Sequence, residues 1–228
     1  MGAPQRAPAI SELFGPFDVG AAQVVPDESH LAELHDEEKP PTASMVPRRQ
    51  AEYAAGRVCA RAAMRQLDLA AASITRTIDG TPVWPTGVTG SISHTRSTCI
   101  AVAARQGRGG LEAVGVDVEV IDRVHGAVER RILVDDERRW IELLDGPARR
   151  LAPAAVFATK EAFYKAQHQL SGRFLGFDVL SVELVGVGPH GADEVRLASQ
   201  SPLVSPACLL YTSPSPRDAT LSRMPSSA

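Results

Sequence analysis

Gly115-Val116-Asp117-Val118-Glu119, taken together with Thr159-Lys160-Glu161-Ala162-Phe163-Tyr164-Lys165, decides how the rest of the chain is read. In the first stretch Val114, Val116 and Val118 alternate with Gly115, Asp117 and Glu119, the period of two of a half-buried strand. The valines are expected in a core, and Gly115, Asp117 and Glu119 on the other face. Residues two apart on a strand lie about 6.5–7 Å apart, so both carboxylates can reach one hard cation. Glycine at 115 leaves room for a ligand to approach the backbone. The second stretch predicts a helix, on which Phe157, Lys160, Glu161, Tyr164 and Lys165 share one arc at about 100° per residue. Three carboxylates (Asp117, Glu119, Glu161) and two amines (Lys160, Lys165) suit a Mg²⁺-bound pyrophosphate.

Outward from these stretches, the pattern predicts short strands interleaved with long helices. Ala21–Val25 reads as a first strand, and His30–Glu38 as a short, acidic, exposed helix stopped by Pro40-Pro41. Pro47 to Leu69 reads as a helix, with Pro47 in its first turn and a narrow alanine face. Arg49, Tyr53, Arg57 and Arg61 recur every four residues along another face. They form either a solvated basic stripe or a phosphate grip built on Arg57 and Arg49, because guanidinium forks match phosphate oxygens. Gly80-Thr-Pro-Val-Trp-Pro85 is a turn and a rigid extended piece. In Gly90-Ser-Ile-Ser-His-Thr95, His94 is either structural or, with Ser91, Ser93 and Thr95, part of a donor cluster for an anion. A strand over Thr98–Ala104 and a Gly/Arg-rich connection at Gln106–Gly110 follow. Arg123–Arg150 is charged and helical, Pro153–Gln169 is a second strong helix, and Val179–Val187 and Glu194–Ala198 alternate as strands. The whole suggests an α+β fold with two similar lobes, residues 1–108 and 109–207, although no short repeat period is visible.

Composition narrows the function. With 228 residues, 44% hydrophobic content and a net charge of −3, the chain can bury a core and shows no basic run. A nucleic-acid partner is not expected. No run of 18 or more apolar residues is present, so no membrane span is expected. Cysteines without paired spacing fit a reducing cytoplasm. Cys208–Asp218 back-translates into a sequencing adapter and Ser222–Ala228 into the flow-cell primer that follows it. Residues 208–228 are therefore set aside as a translated library scar.

Four blocks in order carry a family resemblance: residues 48–57 (RRQAEYAAGR), 82–94 (PVWP…GSISH), 115–119 (GVDVE) and 157–165 (FATKEAFYK). Together they resemble the 4′-phosphopantetheinyl transferases of the Sfp/EntD type, over about residues 45–180. The PVWP and AGR forms look like the enterobactin-synthase branch. The resemblance implies a pseudo-dimer of two α+β lobes with the active site in the cleft between them. It implies transfer of phosphopantetheine from coenzyme A to a serine of an apo carrier protein (peptidyl, aryl or acyl), releasing adenosine 3′,5′-bisphosphate. Asp117, Glu119 and Glu161 would ligate Mg²⁺, or Mn²⁺ in its place, with Val118 contributing through its backbone. His94 and Lys160 would hold phosphates, and Arg57 the nucleotide end of the coenzyme. Glu161 would be the base for the serine hydroxyl, and Lys165 would stabilise or protonate the leaving phosphate. The resemblance also implies a monomer, and at least one further strand where the scar begins, whose loss would expose a sheet edge. Residue 81 is Thr where some relatives carry lysine. Two other readings stand beside the transferase: a catalytically silent binder of coenzyme A or carrier protein, and a Mg²⁺ phosphohydrolase acting on another phosphate ester.

Overall fold

Small residues set the spacing of this α+β fold, because alanine and glycine let helix and sheet backbones approach closely. The computed structural model describes residues 2–15, 17–185, 194–199, 208–212 and 222–223. The chain divides into two units, Met1–Val114 and Gly115–Ala228.

The first unit opens with β1 (Gln5–Arg6), α1 (Pro8–Glu12) and β2 (Val19–Val24). Three 3₁₀ turns, Glu28–Glu33, Asp36–Glu38 and Pro40–Ser44, lead to α2 (Pro47–Arg65). Then come β3 (Thr75–Arg76), β4 (Pro82–Val83), β5 (Val88–His94) and β6 (Cys99–Arg105). The main sheet has the order β1-β2-β6-β5, all antiparallel. Helix α2 lies across it, and Ala22, Ala55, Cys59, Ala63, Met64, Ile74, Cys99 and Ala101 form the core between them. The approach is closest at Gly20, where a Cβ would run into the carbonyl oxygen of Ala63. The segment expected to be an exposed acidic helix is instead 3₁₀ structure that turns Glu38 fully inward. The GSISH block lies within β5 and pairs with β6, His94 opposite Cys99. Trp84 packs over Gly90, which has no side chain to obstruct it.

The second unit takes up β7 (Ala113–Asp117), α3 (Ala127–Ile132), α4 (Asp135–Glu142), α5 (Gly146–Ser171), β8 (Leu180–Val185), β9 (Glu194–Ser199), β10 (Cys208–Thr212) and β11 (Ser222–Arg223). One sheet has the order β11-β10-β7, and β8 and β9 form an antiparallel pair. Cys208–Thr212, within the segment read as a scar, thus lies beside β7. Residues 186–187 of the expected strand, and most of 213–228, fall outside the described residues. Helix α5 begins seven residues before the expected Pro153, which sits inside it. Strand β7 is buried along its whole length rather than half-buried. The reason is α5: a Cβ on Gly115 would strike the carbonyl oxygen of Ala162, so the Gly115 face is roofed by the helix. The strand ends at Asp117, leaving Val118 and Glu119 beyond it.

The same set of bonds occurs once in each unit. In the first, Glu38 accepts from His35 N and Ile74 N and pairs with Arg61 at 2.7 Å. In the second, Glu137 accepts from Val134 N and Val182 N and pairs with Lys160 at 2.8 Å. Glu38 and Glu137, Arg61 and Lys160, and the glycine-roofing Ala63 and Ala162 are each 99 positions apart. One turn on, Gln66 Nε2 donates to Ala21 O at 2.8 Å, and Lys165 Nζ donates to Val116 O at 3.1 Å.

Candidate functional site

The candidate site residues fall into two groups, one in each unit. In the second unit, the end of β7 presents Asp117 and α5 presents Glu161 and Lys165. Because α5 presses onto Gly115, Lys165 reaches back over the strand. It donates to Val116 O and, at 2.6 Å, to Asp117 Oδ1. Asp117 is nearly buried, while Lys165 and Glu161 are half-buried. Burial first, and then the negative charge of Asp117 and of Glu119, push the Glu161 carboxyl up; Lys165 opposes the rise. The Glu119 carboxyl is likewise pushed up by burial and by Asp117, against the bond it accepts from Val120 N. Three like charges are thus held within electrostatic reach, with one lysine to offset them. This is a hard-oxygen donor set that a small dication would relieve. Among the described residues no three His, Cys, Asp or Glu side chains already converge as a finished metal shell. The fit is therefore one of donor chemistry and charge. Val118, 1% exposed, directs its side chain into the core, so any ligand contact would come from its backbone.

Lys160 requires a correction. The expected phosphate role does not match its surroundings: the side chain is 0% exposed. Its ammonium donates to Ile132 O at 3.0 Å, Glu137 Oε2 at 2.8 Å and Phe177 O at 2.8 Å, which uses all three protons. Burial pulls the amine down and the Glu137 carboxyl up, each opposed by the other. Lys160 is a strut that ties α5 to the chain before α4 and to the loop after α5. The residues flanking Glu161 in the motif therefore point to different tasks, which a helical wheel alone does not separate.

In the first unit, α2 and the end of β5 bring Arg49 and His94 into hydrogen-bond contact, while Ser93 is buried one residue before. Glu52 lies beneath both, 3.4 Å from Arg49 Nη1 and 3.6 Å from His94 Nδ1. Arg49 remains about half exposed, so this end of α2 offers cationic donors to an incoming anion. Arg57 is not at the surface. It is 5% exposed, lies 3.8 Å over the Tyr53 ring and donates to Ile74 O and Thr75 O. Burial lowers its pKa. Arg61 is spent on Glu38. Hence the stripe divides: Arg49 stays near the surface, Arg57 secures the loop after α2, and Arg61 secures the turns before it.

The sequence reading missed Glu52, the carboxylate that orients Arg49 and His94, and Glu137, the partner of Lys160. Glu52 carried a signal, since it stands three residues after Arg49 on the same helix. Glu137 carried one only in hindsight, as the third residue of a helix start.

A family model described as 4′-phosphopantetheinyl transferase N-terminal domain matches residues 37–104. Another, described as 4′-phosphopantetheinyl transferase superfamily, matches residues 113–201. The 4′-phosphopantetheinyl transferase PptT of Mycobacterium tuberculosis is 36% identical over 167 residues, covering 71% of this chain and 69% of the relative. The 4′-phosphopantetheinyl transferase Svp of Streptomyces mobaraensis is 33% identical over 175 residues, 75% and 68% of the two chains. Enterobactin synthase component D of Salmonella typhimurium is 38% identical over 128 residues, 52% and 48%.

Proposed function

The chain belongs to the 4′-phosphopantetheinyl transferase superfamily, and on that footing we propose that it transfers 4′-phosphopantetheine from coenzyme A to a serine of an apo carrier protein. The carrier is a peptidyl, aryl or acyl carrier domain of a peptide, siderophore or polyketide synthetase. On this reading the two units are the lobes of a pseudo-dimer. The observation that carries it is the group around β7: Lys165 on Asp117, with the Glu119 and Glu161 carboxyls both raised by burial and then by neighbouring negative charge.

Asp117, Glu119 and Glu161 would hold Mg²⁺, with Mn²⁺ as the substitute that accepts the same oxygens. Held by these carboxylates, the ion would supply positive charge to offset that of the pyrophosphate and of the leaving phosphate. Glu161 takes the proton from the carrier serine as its oxygen attacks the β-phosphorus, and adenosine 3′,5′-bisphosphate departs. Lys165 supplies positive charge beside Asp117 where the leaving phosphate gathers its own. Arg49 and His94 grip phosphate through the donors left by Glu52, and Ser93 shapes the floor of that grip. Arg57 acts behind it, holding the loop at Ile74–Thr75 in place.

Intact-mass spectrometry of an apo carrier protein incubated with the enzyme, coenzyme A and Mg²⁺ tests the proposal. The expected result is one phosphopantetheine added per carrier, and no addition with Glu161→Ala. Coenzyme A binding without any mass gain, across several carriers, would favour the silent binder instead. Among the described residues no helix is long and apolar enough to cross a membrane.

A further inference from the structure

The paired bonds of the two units expose a difference between them. From Arg61 to the amide of Ile74 is 13 positions; from Lys160 to the amide of Val182 is 22. Of the nine extra positions in the second unit, seven lengthen the helix, since α5 runs on to Ser171 where α2 stops at Arg65, and two lengthen the loop after it, which carries Arg173-Phe174. This loop is firmly held. Gly172 closes α5 in the left-handed conformation, its N–H donating to His168 O at 2.8 Å. Ser171 Oγ donates to Gln167 O and receives Arg173 N–H. At the far end Tyr164 donates to Gly176 O and Lys160 to Phe177 O, and Phe177 packs against Phe157 and Tyr164.

Between these anchors Phe174 stands 78% exposed, its ring 4.6 Å from that of His168. An aromatic side chain held this firmly in water has lost much of its freedom before any partner arrives, which is the condition for an anchor residue at an interface. His168 lies within about 20° of Glu161 around α5 and about 10 Å further along it. The exposed ring therefore continues the helix face that carries the proposed base. Arg173 beside it adds a cation.

We propose that the Arg173–Phe174 loop is the docking point for the carrier protein, receiving an apolar side chain and a neighbouring carboxylate near the acceptor serine. The inference rests on the transferase reading above. A macromolecular acceptor that brings its serine to Glu161 must lay the adjoining surface along α5. The loop is the fixed apolar feature that it meets there.

Steady-state kinetics of Phe174→Ser and Arg173→Glu, with apo carrier and coenzyme A varied in turn, test this. Leu143→Ser, at another exposed apolar position (86% exposed), serves as the control for simple loss of surface hydrophobicity. The expected result is a KM for carrier raised about tenfold or more by Phe174→Ser. The KM for coenzyme A and the kcat should be unchanged, with Leu143→Ser like wild type. An unchanged carrier KM overturns the proposal. A raised KM for coenzyme A overturns it by assigning the ring to the coenzyme, and so does a wild-type dimer that Phe174→Ser dissociates, by assigning it to a second copy of the chain. Wild type that modifies no carrier at all would count against the transferase reading, whereas wild-type activity with an indifferent Phe174 would count against the docking point alone.

Discussion

The carbonyl oxygen of Ala162 occupies the space where a side chain on Gly115 would begin. This contact seats α5 on β7 and so brings Lys165 to Asp117. Gly20 and Ala63 meet in the same way in the first unit.

Gly115→Ala should therefore act on stability and on activity together. Neither backbone can give way cheaply, and the expected cost is at the upper end of the overpacking range, about 3 kcal/mol. Urea denaturation of Gly115→Ala and Gly20→Ala should show large losses in both. Carrier modification by surviving folded protein should fall further in Gly115→Ala.

Removing one member of the buried pair leaves the other charged and unanswered. Lys160→Met or Glu137→Leu alone should cost about 3–5 kcal/mol, measured as a shift in the urea midpoint at constant slope. The double substitution should cost less than the sum, by about 0.5–3 kcal/mol of coupling. Folded Lys160→Met at low temperature should keep its KM for coenzyme A. A large rise there would return Lys160 to the phosphate role.

Glu161→Ala removes like charge from a crowded group, so it should leave thermal stability without metal unchanged or slightly increased, whereas Asp117→Ala strips Lys165 of its partner and should lower it. Both should weaken the Mg²⁺ requirement curve and cost about 100-fold or more in rate. Chelation should abolish wild-type transfer, and Mn²⁺ should restore it.

Arg49→Ala and His94→Ala should raise the KM for coenzyme A with little change in kcat, as expected for uniform binding. Because the two side chains touch, and share Glu52, their effects should not add. Additive losses would mean that they grip separate parts of the ligand.

Much of this was legible in the sequence because it was local. The period of two around Val116, the helical spacing from Lys160 to Lys165 and the run from Pro47 each specify an element by neighbours a few residues apart. What a periodicity cannot report is which partner a charged side chain meets. Arg57, Arg61 and Lys160 read as surface cations, and each is buried on carbonyls or a carboxylate brought from elsewhere. The half-buried reading of β7 failed for a related reason: Gly115 marks a close approach, and the approaching group is the chain's own helix rather than a ligand. The resemblance of the two units was hidden because the repeat lies in bonds. Arg61 and Lys160, or Ile74 and Val182, do the same work under different letters.

Gln66 makes a final point about Lys165. In the first unit an uncharged amide already performs the tie from helix to strand that the lysine performs in the second. The tie from helix to strand thus tolerates an uncharged amide, and what Lys165 adds to it is the charge that meets Asp117. Lys165→Gln copies a tie the chain already uses while taking the ammonium away from that carboxylate.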